Sequence, residues 1–317
     1  MKVLVTGALG AIGVNLIPHL KEQGHEVVGT DVRMTDFSDY VRSDITQFEE
    51  MYRIFKETEP DLVVHMAGEV GRMMGEKYPQ KMIYVNDCGT LNMIRLCLDY
   101  GTTLVNFSTS EVYGHLYDRG TEVKEEELEL KQTAFGTTNI YALSKLFGEA
   151  LTKHYVENYG LKAMTIRPCM VYGPGETPAK NRSAIANFIH EAMTGKKITV
   201  HRGTIRAWCY ITDFVEGVRL VMEHAPGKKY EAYNIGSDEY YTAEKLAKIV
   251  LEVCGGKESQ IKLVEPPEHF LSPVKKSSIE KVRRLGFELK VPLRKGVKLV
   301  ADWQREQGFA DKDWELE

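Results

Sequence analysis

The sequence of 317 residues predicts an α/β fold, a doubly wound parallel sheet followed by a smaller mixed α/β C-terminal lobe. Three observations point there. Short apolar strands alternate with amphipathic helices through the first half of the chain. A glycine-rich turn joins the first strand to the first helix, and the alternation loosens after Arg167, where turn-forming residues cluster at 172–178 (YGPGETP). Strands that alternate with helices call for a parallel sheet covered on both faces, and right-handed crossovers wind it.

Residues 2–6 (KVLVT) predict a buried strand. The stretch 11–23 brings Ile12, Leu16 and Leu20 onto one helical face. Pro18 lies inside that pattern, where it costs about 3 kcal/mol or kinks the helix. Residues 26–31 (EVVGTD) predict the second strand, 48–58 a helix, 61–65 (DLVVH) a strand, 79–100 a long helix and 102–107 (TTLVNF) a strand. The acidic run 122–129 reads as a solvated face. Residues 140–159 predict a long helix, and 161–167 (LKAMTIR) the strand after it. Shorter helices are expected over 183–194, 212–224, 242–253 and 292–307, with a break at Pro266–Pro267.

Composition removes several classes. Lys plus Arg is 41 against 45 Asp plus Glu, a net charge of −4, which argues against a nucleic-acid binder. No apolar run reaches the roughly 20 residues that a membrane helix needs. No secretory pattern precedes the first strand, so a soluble cytoplasmic protein is expected. The five cysteines form no CxxC pair and read as reduced core residues. The histidines are scattered without metal-ligand spacing, so no metal site is expected.

Gly7-Ala8-Leu9-Gly10-Ala11-Ile12-Gly13 occupies the strand-to-helix turn. Glycines there let backbone N–H groups approach a pyrophosphate at the helix N-terminus. Asp31 ends the second strand, where a carboxylate accepts from ribose hydroxyls and repels a 2′-phosphate; this favours NAD over NADP, although Arg33 stands two residues on. The pattern is that of a Rossmann-type domain over 1–167, to which 209–235 returns. Segments 168–208 and 236–317 then form a substrate-binding lobe.

Tyr141-Ala-Leu-Ser-Lys145 puts a phenol and an ammonium on one helix face. The lysine charge is expected to lower the phenol pKa, so that Tyr141 can take the proton of a substrate hydroxyl as hydride leaves the same carbon. A hydroxyl cluster, Ser108-Thr109-Ser110-Glu111, follows the 102–107 strand, at the sheet edge where open α/β folds bind ligands.

The ordered motifs GALGAIG (7–13), VVHMAG (63–68), VNDCGT (85–90), FSTSEVYG (107–114), YALSK (141–145), RPCMVYGPG (167–175), RAWCYITD (206–213) and YNIGS (233–237) span most of the chain. Together they resemble the extended short-chain dehydrogenase/reductase family, in its nucleotide-sugar epimerase/dehydratase branch. The resemblance implies Tyr141 as base with Lys145 as its partner, and Thr109 as the hydroxyl that binds the reacting oxygen, followed by Ser110 and Glu111. It implies cofactor contacts by Gly7, Gly10, Ala11, Ile12, Gly13 and Asp31. Asp44 and Ile45 would lie at the adenine, Met66, Ala67 and Gly68 along the cleft after His65, and Asn86 and Pro168 further along it. Arg206 matches the arginine that grips the substrate diphosphate. Arg182, beside Asn181, is a second phosphate candidate, and Arg72 a candidate for an anionic sugar. Tyr113 and Trp208 read as packing residues. A homodimer that pairs helices 79–100 and 140–159 is also implied.

Enzymes of this branch oxidise sugar C4 with bound NAD. The 4-keto sugar is then re-reduced on the other face, loses water, or loses a C6 carboxylate. Many dTDP-glucose dehydratases carry Asp-Glu after the catalytic Thr; this chain carries Ser110-Glu111 and lacks that acid. Ser-Glu resembles UDP-glucuronate decarboxylases, yet YALSK is unlike their YDEGK. The expectation is therefore 4-epimerisation, with 4,6-dehydration or decarboxylation through Glu111 as alternatives. An NADPH-dependent keto-sugar reductase and a non-catalytic dinucleotide sensor stand further back.

Overall fold

The computed structural model describes residues 1–130, 139–179, 182–224, 226–227, 229–266 and 273–310. Asn181 and Pro267 lie outside the described residues. The strands run β1 (Lys2–Thr6), β2 (Glu26–Asp31), β3 (Tyr40–Arg42), β4 (Leu62–His65), β5 (Thr103–Phe107), β6 (Ala163–Pro168) and β7 (Val171–Tyr172). They continue with β8 (Ile198–His201), β9 (Ile205–Ala207), β10 (Cys209–Tyr210), β11 (Glu231–Ile235), β12 (Tyr240–Thr242) and β13 (Ile261–Val264).

Seven of them form one sheet in the order β11-β6-β5-β4-β1-β2-β3, with every pairing parallel. The strand order reverses between β1 and β4, and the carboxyl ends of strands at such a switch point are the place for ligands in these sheets. Alternation along β1 sends Val3 and Val5 into one core and Leu4 into the other. Leu16, Leu20, Val64, Phe107 and Phe214 fill the first layer, while Ile54, Phe55, Met93 and Leu104 fill the second. The lobe pairs β8 with β13 and β9 with β12, and packs helices Ala184–Met193, Ala243–Cys254 and Leu293–Glu306 together. Ser183 and Thr242 cap two of these helices with their side-chain oxygens.

Helices Phe48–Thr58 and Ile140–Tyr159 match their sequence expectations. The first helix starts at Gly13 rather than at 11, because the glycine turn runs on through Ile12. Pro18 and Val14 both lie on its exposed face, so the carbonyl left without an N–H partner points to solvent. The long helix over 79–100 is three pieces: Pro79–Ile83, a π-helical turn Tyr84–Cys88, and Gly89–Tyr100. The π turn packs against helix Ile140–Tyr159.

The structure departs from two expectations. The acidic run is not wholly solvated: Glu125 is buried and accepts from Asn234 N at 2.8 Å. The cysteines are all free, but Cys88 is exposed and Cys254 half-buried, so only three are core residues.

Candidate active site

The glycine turn is closed by contacts that admit no side chain. Gly7 has φ +74°, and a Cβ there would stand 2.9 Å from Ala67 N. A Cβ on Gly13 would stand 2.4 Å from Ala8 O and 2.5 Å from Gly7 O. Thr6 supports the same junction: its hydroxyl accepts from Ala67 N at 3.1 Å and meets His65 Nδ1 at 2.8 Å. Helix Gly13–Glu22 has no side-chain cap; Val14 N donates to Gly10 O and Asn15 N to Ile12 O, each at 3.1 Å, so backbone alone closes the turn at the helix N-terminus. This backbone cradle fits a dinucleotide pyrophosphate.

Asp31 is held at its rim. Its Oδ2 accepts from Leu9 N at 3.2 Å, and its Oδ1 accepts from Arg33 N at 3.2 Å and Arg33 Nε at 3.3 Å. Arg33 is thus drawn onto the carboxylate that would meet a ribose. Asp44 Oδ1 closes a turn with Thr46 N and Oγ1 at 2.9 and 2.8 Å. The Ile45 side chain is buried against Gly89, so only its backbone remains for the adenine contact expected of it.

At the other end of the site, Asn139 caps helix Ile140–Tyr159 by accepting from Ala142 N at 2.8 Å, and the next turn carries Tyr141 and Lys145. Tyr141 is buried, with the Thr109 side chain near enough to act on its phenol. Burial pushes its phenol up to about 12; the Thr109 hydroxyl pulls down and the Glu111 charge pushes up further. The lowering expected from Lys145 is not among the influences on the phenol. Lys145 Nζ donates instead to Phe107 O at 3.0 Å, and burial brings its ammonium down to about 8 against the opposing pull of Asp87. A Cβ on Gly68 would stand 3.4 Å from Lys145 Nζ, which places the lysine beneath the cleft.

The segment 69–76, which no motif explained, docks on the catalytic helix. A Cβ on Gly75 would stand 2.9 Å from Tyr141 N, and Glu76 Oε1 accepts from Ile140 N at 3.1 Å. Arg72 begins the short helix Arg72–Lys77 and acts on Glu111. Glu111 forms an ion pair with Lys275. Burial pushes its carboxyl up, but Lys275, Arg206 and Arg72 together hold it below the ordinary carboxylate range. Arg206 is itself buried and donates through Nη1 to Ile205 O at 2.8 Å and to Pro273 O.

Other expected site residues stand elsewhere. The Ser110 side chain is buried and acts on Tyr117 and Cys169 rather than on Tyr141. Asn86 has its amide engaged by the protein: Oδ1 accepts from Glu69 N at 2.8 Å, and Nδ2 donates to Glu69 O at 3.1 Å and Ser144 Oγ at 2.9 Å. It braces the cleft rather than reading the cofactor. Arg182 is exposed and is not among the charges acting on Glu111. Pro168 is half-buried at the end of β6, opposite Ile235. Tyr113 and Trp208 are buried packing residues. Sequence reasoning missed Lys275 and Gly75, which belong to no motif, and Asp87, which stands inside VNDCGT (85–90) but was not singled out there.

The family model described as "NAD dependent epimerase/dehydratase family" matches residues 3–236. UDP-glucuronic acid decarboxylase 6 of Arabidopsis thaliana is 32% identical over 312 residues, covering 95% of this chain and 88% of the relative. The UDP-glucose 4-epimerase of Thermotoga maritima, solved with UDP-glucose, superposes with a TM-score of 0.85 at 25% identity over 97% of this chain and 99% of that one. The Thermus thermophilus UDP-glucose 4-epimerase, solved with NAD, gives 0.82 at 27% identity over 96% and 99%. The chain is an enzyme of the NAD-dependent epimerase/dehydratase family.

Proposed function

We propose that the protein is a nucleotide-sugar 4-epimerase. The observation that carries this reading is the division of the catalytic segment: Thr109 faces Tyr141, whereas Ser110 turns into the interior and Glu111 is held ionised by Lys275. Elimination of water across C5 and C6 needs a proton donor and a base besides Tyr141. A carboxylate kept charged by three cations is a poor donor, and position 110 offers none. Epimerisation needs only one acid–base group at the C4 oxygen, with its hydrogen-bond partner.

In this reading NAD, when bound, would supply a reversible hydride acceptor for C4. Tyr141, in its ionised form, takes the C4 hydroxyl proton and gives it back, and Thr109 holds the oxygen as it becomes a carbonyl. Lys145 would hold the nicotinamide end of NAD by its positive charge. Gly7, Gly10, Ala11, Ile12, Gly13, Met66, Ala67 and Gly68 line the pyrophosphate path, and Asp31 meets the adenosine ribose. Arg206, a guanidinium suited to phosphate geometry, grips the diphosphate together with Lys275. Residues 1–167 with 209–235 are the cofactor unit and the remainder the substrate lobe. Ile83, Tyr84 and Leu91 are exposed on one long helix and Leu143 and Phe147 on the other, which supports a homodimer through those helices.

A second reading, decarboxylation of a uronic acid sugar, is favoured by the charges of Arg72 and Lys275 at the site and by the identity to the Arabidopsis decarboxylase. The variants Tyr141→Phe and Ser110→Ala test the division of labour. The first is expected to lower turnover by about 10²–10⁴-fold with NAD still bound, and the second to leave turnover within about threefold. Loss of turnover in Ser110→Ala with the fold intact would overturn it.

A further inference from the structure

The π-helical turn Tyr84–Cys88 inserts one extra residue into a long helix where it packs against the helix that carries Tyr141 and Lys145. Such turns recur at functional sites because they re-aim side chains. Asn86 uses this one to bond Ser144, the neighbour of Lys145. Asp87, next in the chain, is half-buried, and its Oδ1 is wholly shielded without a hydrogen-bond partner. A carboxylate oxygen left in that state is costly unless a charge nearby offsets it.

The charge that acts on Asp87 is Lys145, and Asp87 in turn is the carboxylate that acts on Lys145. The other groups around the lysine contribute no net charge. His65 on β4 is fully buried and held neutral, down to about 3, by burial and by the lysine itself. Tyr141, one turn earlier on the same helix, is a neutral phenol. Phe107 offers only its carbonyl oxygen.

We propose that Asp87 is the counter-ion of Lys145, a positioning residue that keeps the lysine protonated beneath the cofactor and so sets the upper pH limit of the reaction. The role in turnover rests on the function proposed above; the ionic coupling does not. The sign follows from the two groups. Burial favours the neutral amine and brings Lys145 down to about 8 even with Asp87 present. Removing the carboxylate leaves burial unopposed, and the ammonium is lost at lower pH. Asp87 takes up a proton near about 6, because burial raises it against the pull of Lys145, but at that pH the lysine is charged regardless. The effect is confined to the alkaline side.

The test uses the NAD-loaded protein and the isosteric variant Asp87→Asn. The alkaline limb of the kcat/KM profile is expected to move down by about one pH unit, so that turnover near pH 9 falls about tenfold. Turnover near about pH 6.5 is expected to stay within about twofold. Asp87→Glu is expected to restore the limb, and Asp87→Ser serves if the Asn variant does not fold. An unmoved limb in a folded, NAD-binding Asp87→Asn would overturn the proposal. A second readout is independent of catalysis: NMR titration of the Lys145 Cε resonance, assigned by its loss in Lys145→Arg. The same downward shift there, with no epimerase activity in the native protein, would refute the function and leave the counter-ion standing. An unshifted resonance would refute the counter-ion.

Discussion

The carboxylate of Glu111 pairs with the ammonium of Lys275, joining the end of β5 to a residue 164 positions away in the lobe. The pair is partly buried, with side-chain exposures of 24% and 13%, and Arg206 and Arg72 add their charges to it. Glu111 therefore serves as a fixed anion that organises cations around the substrate. Glu111→Gln is expected to keep turnover within about tenfold while raising KM, a pattern that steady-state kinetics separates from loss of a catalytic acid, which would lower kcat by about 10²–10⁴-fold.

Arg167 and Glu149 make a deeper pair. Their two bonds measure 3.0 and 2.7 Å with both side chains buried, and Arg167 also donates to Tyr113 OH at 2.9 Å, while Tyr230 OH donates to Glu149 at 3.0 Å. Tyr113 OH donates onward to Asn234 at 2.8 Å, so the network ties the catalytic segment to β6 and β11. Glu149→Gln leaves a buried guanidinium without its counter-charge and is expected to destabilise the fold by about 3–5 kcal/mol, as read by urea unfolding.

Gly7 and Gly24 make a matched pair for the cradle. Both have positive φ, +74° and +83°, but only Gly7 has a backbone atom in the way of a Cβ. Gly7→Ala is expected to weaken NAD binding at least about tenfold, because Ala67 must move, whereas Gly24→Ala is expected to cost about 1 kcal/mol of stability and leave NAD affinity unchanged. Titration by intrinsic fluorescence compares them.

His65 predicts the acid limb of stability. Its folded pKa, about 3, lies below the unfolded value near 6.5 because burial and then Lys145 disfavour the imidazolium. Between those values the unfolded chain binds the proton, so this contribution is full above about 6.5 and is lost as pH falls toward 3, amounting to about 4–5 kcal/mol. Asp87 works in the opposite sense, since its folded value is raised from 3.8 to about 6; its contribution shrinks as pH rises through that window. Urea midpoints from pH 4 to 7 are expected to climb, with a shallower climb in His65→Asn.

The parallel sheet was legible because its strands are short apolar runs separated by helices with clear periodicity; Phe48–Thr58 and Ile140–Tyr159 end where the pattern ends. β3 escaped notice since Tyr40–Arg42 is too short and too polar to carry a period. The Thr109–Tyr141 pair was legible from motif spacing, but the opposite directions of Ser110 and Glu111 were not. They depend on the 3₁₀ path from Ser110 to Arg119 and its kink at Gly114. Lys275 could not be found from spacing, because its role comes from the lobe folding back over β5. The reversed sign of the Tyr141 shift has a similar origin: burial of the phenol, a property of the packed site, outweighs the nearby charge that helical spacing implied.

The most direct measurement incubates the NAD-loaded protein with UDP- and dTDP-linked hexoses and UDP-glucuronate, each deuterated at C4, and analyses the products by NMR and mass spectrometry. Epimerisation through Tyr141 and Thr109 gives the C4 epimer with unchanged mass and deuterium retained at C4. A product that has lost water or carbon dioxide would contradict it and return Glu111 and its cations to the chemistry itself.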